Sequence, residues 1–386
     1  MEGLLATGAL DKLLNNNQEQ CSFMLIDLNI LQELYQNWAR TFPTIQPFFA
    51  VKSNPDPIII DELNKYGSCF DCASLEELKL VHSLGIESSR IIFANTIKLK
   101  KDINFAKSIG VKLMTCDSIY EIHKIREIMK EAEIIIRIKV PSMATNTTIP
   151  FGDKFGACRK TWKQLLECAN ELGLQVVGTS FHVGSGCNNP DSYSLAIDEV
   201  KMFIHEAERT NENKIRIVDL GGGFSYPIDE RISRIINEKL NDDIFRGRKI
   251  IAEPGRYMVE TTTTIFAQII GKRIDDVDIP VKYWIFESIY GSFADVSHGY
   301  MSPIFYPITN NKPSFKGSIF YGCSCDGSDV IYSNSEFQEL EVGDWIYCKN
   351  MGAYTWILAT KFNGMGFDRI QKVYYHCDKT LTMIGK

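Results

Sequence analysis

Between positions 47 and 253 the chain alternates short apolar, β-branched runs with longer stretches whose apolar residues recur at helical spacing. The short runs cover 47–51, 68–72, 90–93, 112–115, 133–138, 175–181, 214–220 and 249–253. Amphipathic segments such as 74–83, 117–132, 161–172 and 192–209 lie between them, each with polar residues able to start a helix. Runs apolar throughout, separated by helices, are the mark of a parallel sheet covered on both faces. Eight such units within roughly 205 residues predict a closed (β/α)8 barrel, since an open doubly wound sheet more often stops at five or six strands.

After Arg256 the pattern changes. Runs such as Thr263-Thr-Ile-Phe-Ala, Tyr283-Trp-Ile-Phe, Ser318-Ile-Phe-Tyr and Asp344-Trp-Ile-Tyr follow one another with Gly, Pro and Asn turns and no helices between them. The fold expected is therefore α/β, a TIM-like barrel over 28–260 joined to an all-β domain formed by 1–27 and 261–386. The run 23–27 is assigned to the second domain because it precedes the first barrel strand.

Composition narrows the function. The chain has 386 residues, and 42 Lys+Arg against 48 Asp+Glu give a net charge of −6 without a long basic run. Such a surface does not suit a nucleic-acid backbone. No apolar run approaches the ~18 residues of a membrane span, and the start Met1-Glu2-Gly3 is not that of a signal peptide, so a cytoplasmic protein is expected. Eleven cysteines without an export signal read as reduced thiols. The pairs Cys69-x-x-Cys72 and Cys323-x-Cys325 have no histidine at zinc-finger spacing, and no metal is expected.

In barrels of this kind the chemistry gathers at the carboxyl ends of the strands. Here those ends carry Lys52, Asp71, Arg137, His182, Gly221-Gly222-Gly223, Glu253 and Arg256. A lysine leaving a buried strand into a dry pocket would be a nucleophilic amine suited to Schiff-base chemistry, while the alternative is an exposed strand-end lysine. Three glycines let backbone approach an anion, and Arg256 adds a charged fork, although glycines also serve tight turns alone. Glu253 suits a protonated pyridine nitrogen, and His182 either stacks on a ring or is a core histidine. A lysine, a phosphate cradle and an acid together point to pyridoxal 5'-phosphate.

The ordered segments Ala50-Val-Lys52-Ser-Asn, Phe70-Asp71-Cys-Ala-Ser, Lys154-Phe-Gly-Ala, Ser180-Phe-His182-Val-Gly-Ser185, Asp219-Leu-Gly-Gly-Gly-Phe, Ala252-Glu253-Pro-Gly255-Arg256, Tyr290-Gly-Ser-Phe, Cys325-Asp326-Gly-Ser-Asp329 and Met351-Gly-Ala-Tyr354 resemble the eukaryotic ornithine decarboxylase family, whose barrel is shared with alanine racemase. The resemblance implies a decarboxylase making putrescine from ornithine, with Lys52 carrying the cofactor, Glu253 on its pyridine nitrogen and His182 on its face. Asp71 and Arg137 would support the lysine side, and Ser185, Gly221, Gly222, Gly223, Gly255, Arg256 and Tyr354 the phosphate. It further implies a homodimer with shared active sites: Cys325 protonates product, Asp326 and Tyr290 receive the substrate's distal cation, and Lys154 with Asp329 bridges the interface.

The pattern breaks at one place. Aligned without gaps from Tyr290, the family's second substrate-binding acid falls at Gly299, and Asp295 lies four residues earlier. Losing one charge-assisted contact would weaken binding about 10- to 150-fold, so arginine or lysine stays open as substrate. So does a regulatory homologue similar to the antizyme inhibitors, although the retained Lys52, Glu253 and Cys325 argue against it. An antizyme-type protein is the other partner class the resemblance brings.

Overall fold

The computed structural model describes residues 9–17, 19, 21–141, 147–149, 153–209, 214–276, 279–308, 315–365, 370–376 and 381–384. The chain divides into two compact units, Leu31–Val259 and the combination of Met1–Ile30 with Glu260–Lys386. In chain order the first strands are β1 (Ser22–Asp27), β2 (Ile45–Ala50), β3 (Cys69–Cys72), β4 (Ile91–Phe93), β5 (Leu113–Cys116), β6 (Glu133–Arg137), β7 (Thr147–Ile149), β8 (Gln175–Ser180), β9 (Ser185–Cys187), β10 (Ile217–Asp219) and β11 (Lys249–Ala252). They are followed by β12 (Thr263–Arg273), β13 (Val281–Ile285), β14 (Phe305–Pro307), β15 (Phe315–Tyr321), β16 (Val330–Gln338), β17 (Trp345–Cys348), β18 (Gln371–Tyr375) and β19 (Leu381–Ile384).

In the first unit, β2, β3, β4, β5, β6, β8, β10 and β11 close into a parallel barrel, each at one of the eight expected runs. Its interior is filled by Phe48, Cys69, Ile92, Ile135, Val177, Ile217 and Ile251. The outer helices begin where polar residues can take up their free N–H groups. Asp56 accepts from Ile58 and Ile59 with Pro57 next to it, and Ser74 and Ser118 accept from Glu77 and Glu121. The helix Pro190–Arg209 buries Tyr193, Ile197, Val200, Phe203 and Ile204 on one face. A small antiparallel ribbon, β7 with β9, was not legible in the sequence, and it carries Ser185.

The second unit is a nine-stranded sheet in the order β16-β15-β13-β12-β1-β18-β19, with β17 joining β12 and β14. β1 pairs antiparallel with β12 and parallel with β18, so the early run 23–27 does enter this sheet. Its larger core gathers Tyr283, Phe293, Phe305, Phe320, Phe337 and Trp356.

Candidate active site

The exit of β2 is shaped by a short turn, Val51–Ser53, in which Ser53 Oγ donates to Ala50 O at 2.8 Å and Asn54 N–H to Val51 O at 3.1 Å. The turn sets Lys52 just past the strand, and the register of β2 on β3 puts Asp71 beside Ala50. Lys52 Nζ lies 3.2 Å from Asp71 Oδ2, with Asp71 1% and the lysine side chain 38% exposed. This corrects the expected dry pocket: the lysine is half open to solvent and is oriented by a buried carboxylate. Glu77, which the sequence reading missed, joins them. Its carboxylate accepts from Ala73 N–H at 2.6 Å, and burial, with Asp71 nearby, pushes it up to about 7. The signal was present as Ser74-x-x-Glu77, a helix-capping spacing at the end of the second barrel strand.

Across the barrel mouth, β8 pairs Ser180 with Arg137 on one side and with Asp219 on the other. Arg137 stacks on Phe155 at 4.7 Å, and burial lowers its affinity for a proton, offset by Glu253 and the nearby aspartates. His182 Nδ1 accepts from Gly184 N–H at 3.0 Å. Burial first, then Arg137 and Lys52, push this imidazole well below its usual value, so it is neutral. Asp219 is fully buried; its Oδ1 accepts from Gly221 N–H at 2.9 Å, its Oδ2 has no hydrogen-bond partner, and the buried carboxyl of Glu253 is close enough to interact with it electrostatically. Desolvation pushes Asp219 to about 7 and raises Glu253 well above the carboxylate range, each increased by further acid neighbours. Two adjacent buried carboxyls cannot both ionise, and the pair retains a proton.

The glycines are there because nothing larger fits. A Cβ on Gly222 would lie 2.7 Å from His182 Nε2, and one on Gly223 2.7 Å from Gly184 O. On Gly255 it would meet Ser53 Cβ at 2.9 Å, closing the gap between the exits of the last and first barrel strands. Ser185 Oγ stands 3.4 Å from Arg256 Nε at the edge of this turn.

These residues fit pyridoxal phosphate. The proton held by Glu253 and Asp219 is one a pyridine nitrogen can take, and the resulting pyridinium would offset the buried negative charge. Asp71 Oδ1 is buried without a hydrogen-bond partner, on the carboxylate whose other oxygen meets Lys52. The neutral ring of His182 offers a flat face, and Gly222, Gly223, Ser185 and Arg256 form an anion cradle. Among the described residues no group of His, Cys, Asp and Glu is arranged to hold a metal ion.

The second unit brings together Tyr290, Cys325 and Asp326. Tyr290 Oη donates to Asp326 Oδ2, Ser328 Oγ donates to the same oxygen at 2.8 Å, and Ser328 N–H reaches Oδ1 at 3.0 Å. The Ser328 N–H first, then these hydroxyls, hold Asp326 below its usual range, so it is a half-buried anion. Cys325 is exposed, with its N–H on Asn363 Oδ1 at 2.7 Å, and the Tyr290 ring packs on Phe362 at 4.5 Å. Asp329 is instead buried inside this unit, accepting from Ser288 Oγ, Ile289 N–H and both the N–H and Oγ of Ser324. A Cβ on Gly322 would strike that carboxylate. Lys154 is exposed on the barrel unit beside Phe155. Tyr354 belongs to the sheet unit and has a left-handed backbone at φ 56°.

Gly299 acquires a structural reason. It follows the short helix Ala294–Ser297 with φ 71°, its N–H bonds Val296 O at 3.0 Å and Tyr300 N–H bonds Asp295 O at 3.1 Å, the two bonds of a Schellman cap. No atom lies within 4 Å of the place its Cβ would take. Asp295 is 3% exposed.

Lys98, which the sequence reading passed over, is fully buried, yet it is committed elsewhere: its ammonium reaches Asn95 O at 2.8 Å, Thr115 O at 2.6 Å and Glu121 Oε1 at 3.2 Å. Burial alone therefore does not mark a lysine as available for chemistry.

Comparison with known proteins agrees with this geometry. The family profile described as pyridoxal-dependent decarboxylase, pyridoxal binding domain, matches residues 28–260. A probable ornithine decarboxylase of Dictyostelium discoideum is 35% identical over 378 residues, covering 93% of this chain and 80% of that protein. Ornithine decarboxylase of Mus musculus is 33% identical over 410 residues, covering 100% and 87%. Among solved structures, the arginine decarboxylase of Paramecium bursaria Chlorella virus superposes with a TM-score of 0.88 at 36% identity, over 95% of this chain and 99% of that one. Lysine decarboxylase of Selenomonas ruminantium gives 0.84 at 30% identity, over 94% and 95%.

Proposed function

The chain belongs to the ornithine decarboxylase family of pyridoxal-dependent decarboxylases, and on that premise we propose that it removes the α-carboxylate of a small basic amino acid, L-ornithine first, releasing carbon dioxide and putrescine. The bound cofactor supplies an electron sink for the pair left when carbon dioxide departs. Lys52 is the amine that anchors the cofactor's aldehyde, oriented by Asp71 at 3.2 Å. Glu253, backed by Asp219, keeps a proton for the ring nitrogen, and neutral His182 covers the ring face. Gly221, Gly222, Gly223, Ser185, Gly255 and Arg256 hold the phosphate, with Tyr354 as a further contact. Cys325 returns a proton to Cα, and Asp326 with Tyr290 receives the distal ammonium.

The observation that carries the substrate class is Asp326, a half-buried carboxylate fixed by Tyr290 and Ser328 beside an aromatic pair. A fixed anion with an aromatic wall favours a cation and disfavours a distal carboxylate. A second reading, arginine, has its own support: no acid stands at Gly299, and the viral arginine decarboxylase superposes at 36% identity. A homodimer with shared sites, cytoplasmic location and an antizyme-type partner complete the reading. No helix among the described residues is long and apolar enough to cross a membrane.

The test is a substrate panel of ornithine, lysine, arginine and diaminopimelate with added cofactor, following carbon dioxide and amine. Ornithine should give the highest kcat/KM. Arginine in first place would move the substrate to the second reading, and inactivity on all four would end the decarboxylase reading of this chain.

A further inference from the structure

Cys325 and its two neighbours are fixed by different parts of the sheet unit. Ser324 is tied to Asp329, through its N–H at 3.1 Å and its hydroxyl at 2.5 Å. Asp326 is set by Tyr290 Oη and by the N–H and Oγ of Ser328. Cys325 N–H instead reaches out of the loop to Asn363 Oδ1 at 2.7 Å, 38 residues further along the chain. Asn363 stands in a compact turn, where Phe362 N–H bonds Thr360 Oγ1 at 3.2 Å and Met365 N–H bonds Phe362 O at 3.0 Å. The turn is itself anchored beside the site: Thr360 N–H bonds Tyr290 O at 2.9 Å, and the Phe362 ring packs on that of Tyr290. Asn363 has a left-handed backbone at φ 49°. Asparagine and glycine are the residues that take this conformation most readily, so the backbone alone could account for an asparagine here. Glycine would meet that demand equally well, but it would leave the Cys325 N–H without its acceptor.

We propose that Asn363 is a positioning residue for Cys325, its side-chain carbonyl holding the cysteine backbone where the thiol can return a proton to Cα. The inference rests on the reading of Cys325 as that proton donor. When carbon dioxide leaves, the bonding pair stays behind, the thiol proton forms the new bond at Cα, and the thiolate regains a proton from water before the next turnover. A proton donor works only within hydrogen-bond reach of the atom it serves, and a displacement of about 1 Å at such a group can cost about 100-fold in rate. The other anchors of the loop grip Ser324 and the Asp326 carboxylate, so loss of the Asn363 acceptor loosens the cysteine while the substrate's anion keeps its own partners. Proton return should suffer, and substrate binding should not. A proton that goes anywhere other than Cα gives carbon dioxide without the amine.

The experiment compares two variants of the cofactor-loaded enzyme. Asn363→Gly keeps the left-handed turn and removes the acceptor, and Asn363→Asp keeps both. With the substrate that the panel prefers, kcat, KM and the amine released per carbon dioxide are measured, and deuterium uptake of the peptide carrying Cys325 is followed without turnover. Asn363→Gly should lower kcat about tenfold or more with KM changed less than about threefold. It should also release less than one amine per carbon dioxide and take up deuterium faster at that peptide. Asn363→Asp should stay within about threefold of wild type in kcat, with full amine yield. Wild-type kcat and amine yield in Asn363→Gly, unchanged deuterium uptake, or an equal loss in both variants overturns the proposal. Cys325→Ala separates this failure from that of the underlying reading. If it turns over normally with one amine per carbon dioxide, the role given to Cys325 falls and the proposal with it. If it is impaired while Asn363→Gly is not, the proposal alone falls.

Discussion

The two units of this protein arrange their charges in opposite ways. In the barrel unit Asp71, Asp219 and Glu253 are 1%, 0% and 8% exposed, and the last two are shifted upward by burial, Glu253 further by Asp219 and both further by Asp71. In the sheet unit Asp326 is only half-buried and is held low by hydrogen bonds from Ser328 and Tyr290. The contrast separates two tasks. A cofactor resident in its site needs groups whose electrostatics are set in a water-poor setting before any substrate arrives. A substrate that enters and leaves needs an anion that stays ionised and accessible, with geometry fixed by its neighbours.

The largest break in this comparison is expected at Lys52. Lys52→Ala should lower kcat by about 10⁴-fold or more, while the folded barrel, measured by circular dichroism, is retained. Glu253→Gln comes next. Removing one member of a buried charge network is worth about 3–5 kcal/mol, so affinity for pyridoxal phosphate, measured by titration of the apoprotein, should fall at least about 100-fold. Glu77 gives a pH test of the same unit. Its folded value is raised to about 7, so the unfolded chain releases this proton first as pH rises, and the stabilisation present below the ordinary carboxylate value is lost through about 7. Wild-type apoprotein should therefore lose on the order of 3 kcal/mol relative to Glu77→Gln between acid and neutral pH in urea unfolding.

The sheet unit should respond differently. Asp326→Asn should raise KM for ornithine about 10- to 150-fold and leave the absorbance of bound cofactor unchanged. Back in the barrel unit, Gly222→Ala, whose new methyl would press on His182, should cost about 1–3 kcal/mol, read as weaker cofactor affinity with no change in substrate preference. If Asp326→Asn instead released the cofactor, the division of labour between the units would be wrong.

Much of this was legible in the sequence because barrel strands are buried on both faces, so their apolar runs stand out from the amphipathic helices around them. Lys52, His182 and Glu253 stand out for a related reason: they lie at the ends of those runs. What escaped was pairing. Apolar periodicity says nothing of which polar groups meet, so the partnership of Asp219 with Glu253, the entry of Glu77 beside Asp71 and the commitment of Lys98 to Glu121 appear only in three dimensions. The ribbon of β7 and β9 escaped because each strand has three residues, too few to show a period. Gly299 looked like a lost acid in sequence, whereas in the fold it caps a helix whose last turn calls for positive φ.

The central claim is that the half-exposed lysine at the first barrel strand, rather than the fully buried one, carries the cofactor. Borohydride reduction of the protein loaded with pyridoxal phosphate, followed by peptide mass mapping, tests it directly. The account predicts one phosphopyridoxyl label, on the peptide containing Lys52. A label on Lys98, or on no barrel lysine, would contradict it.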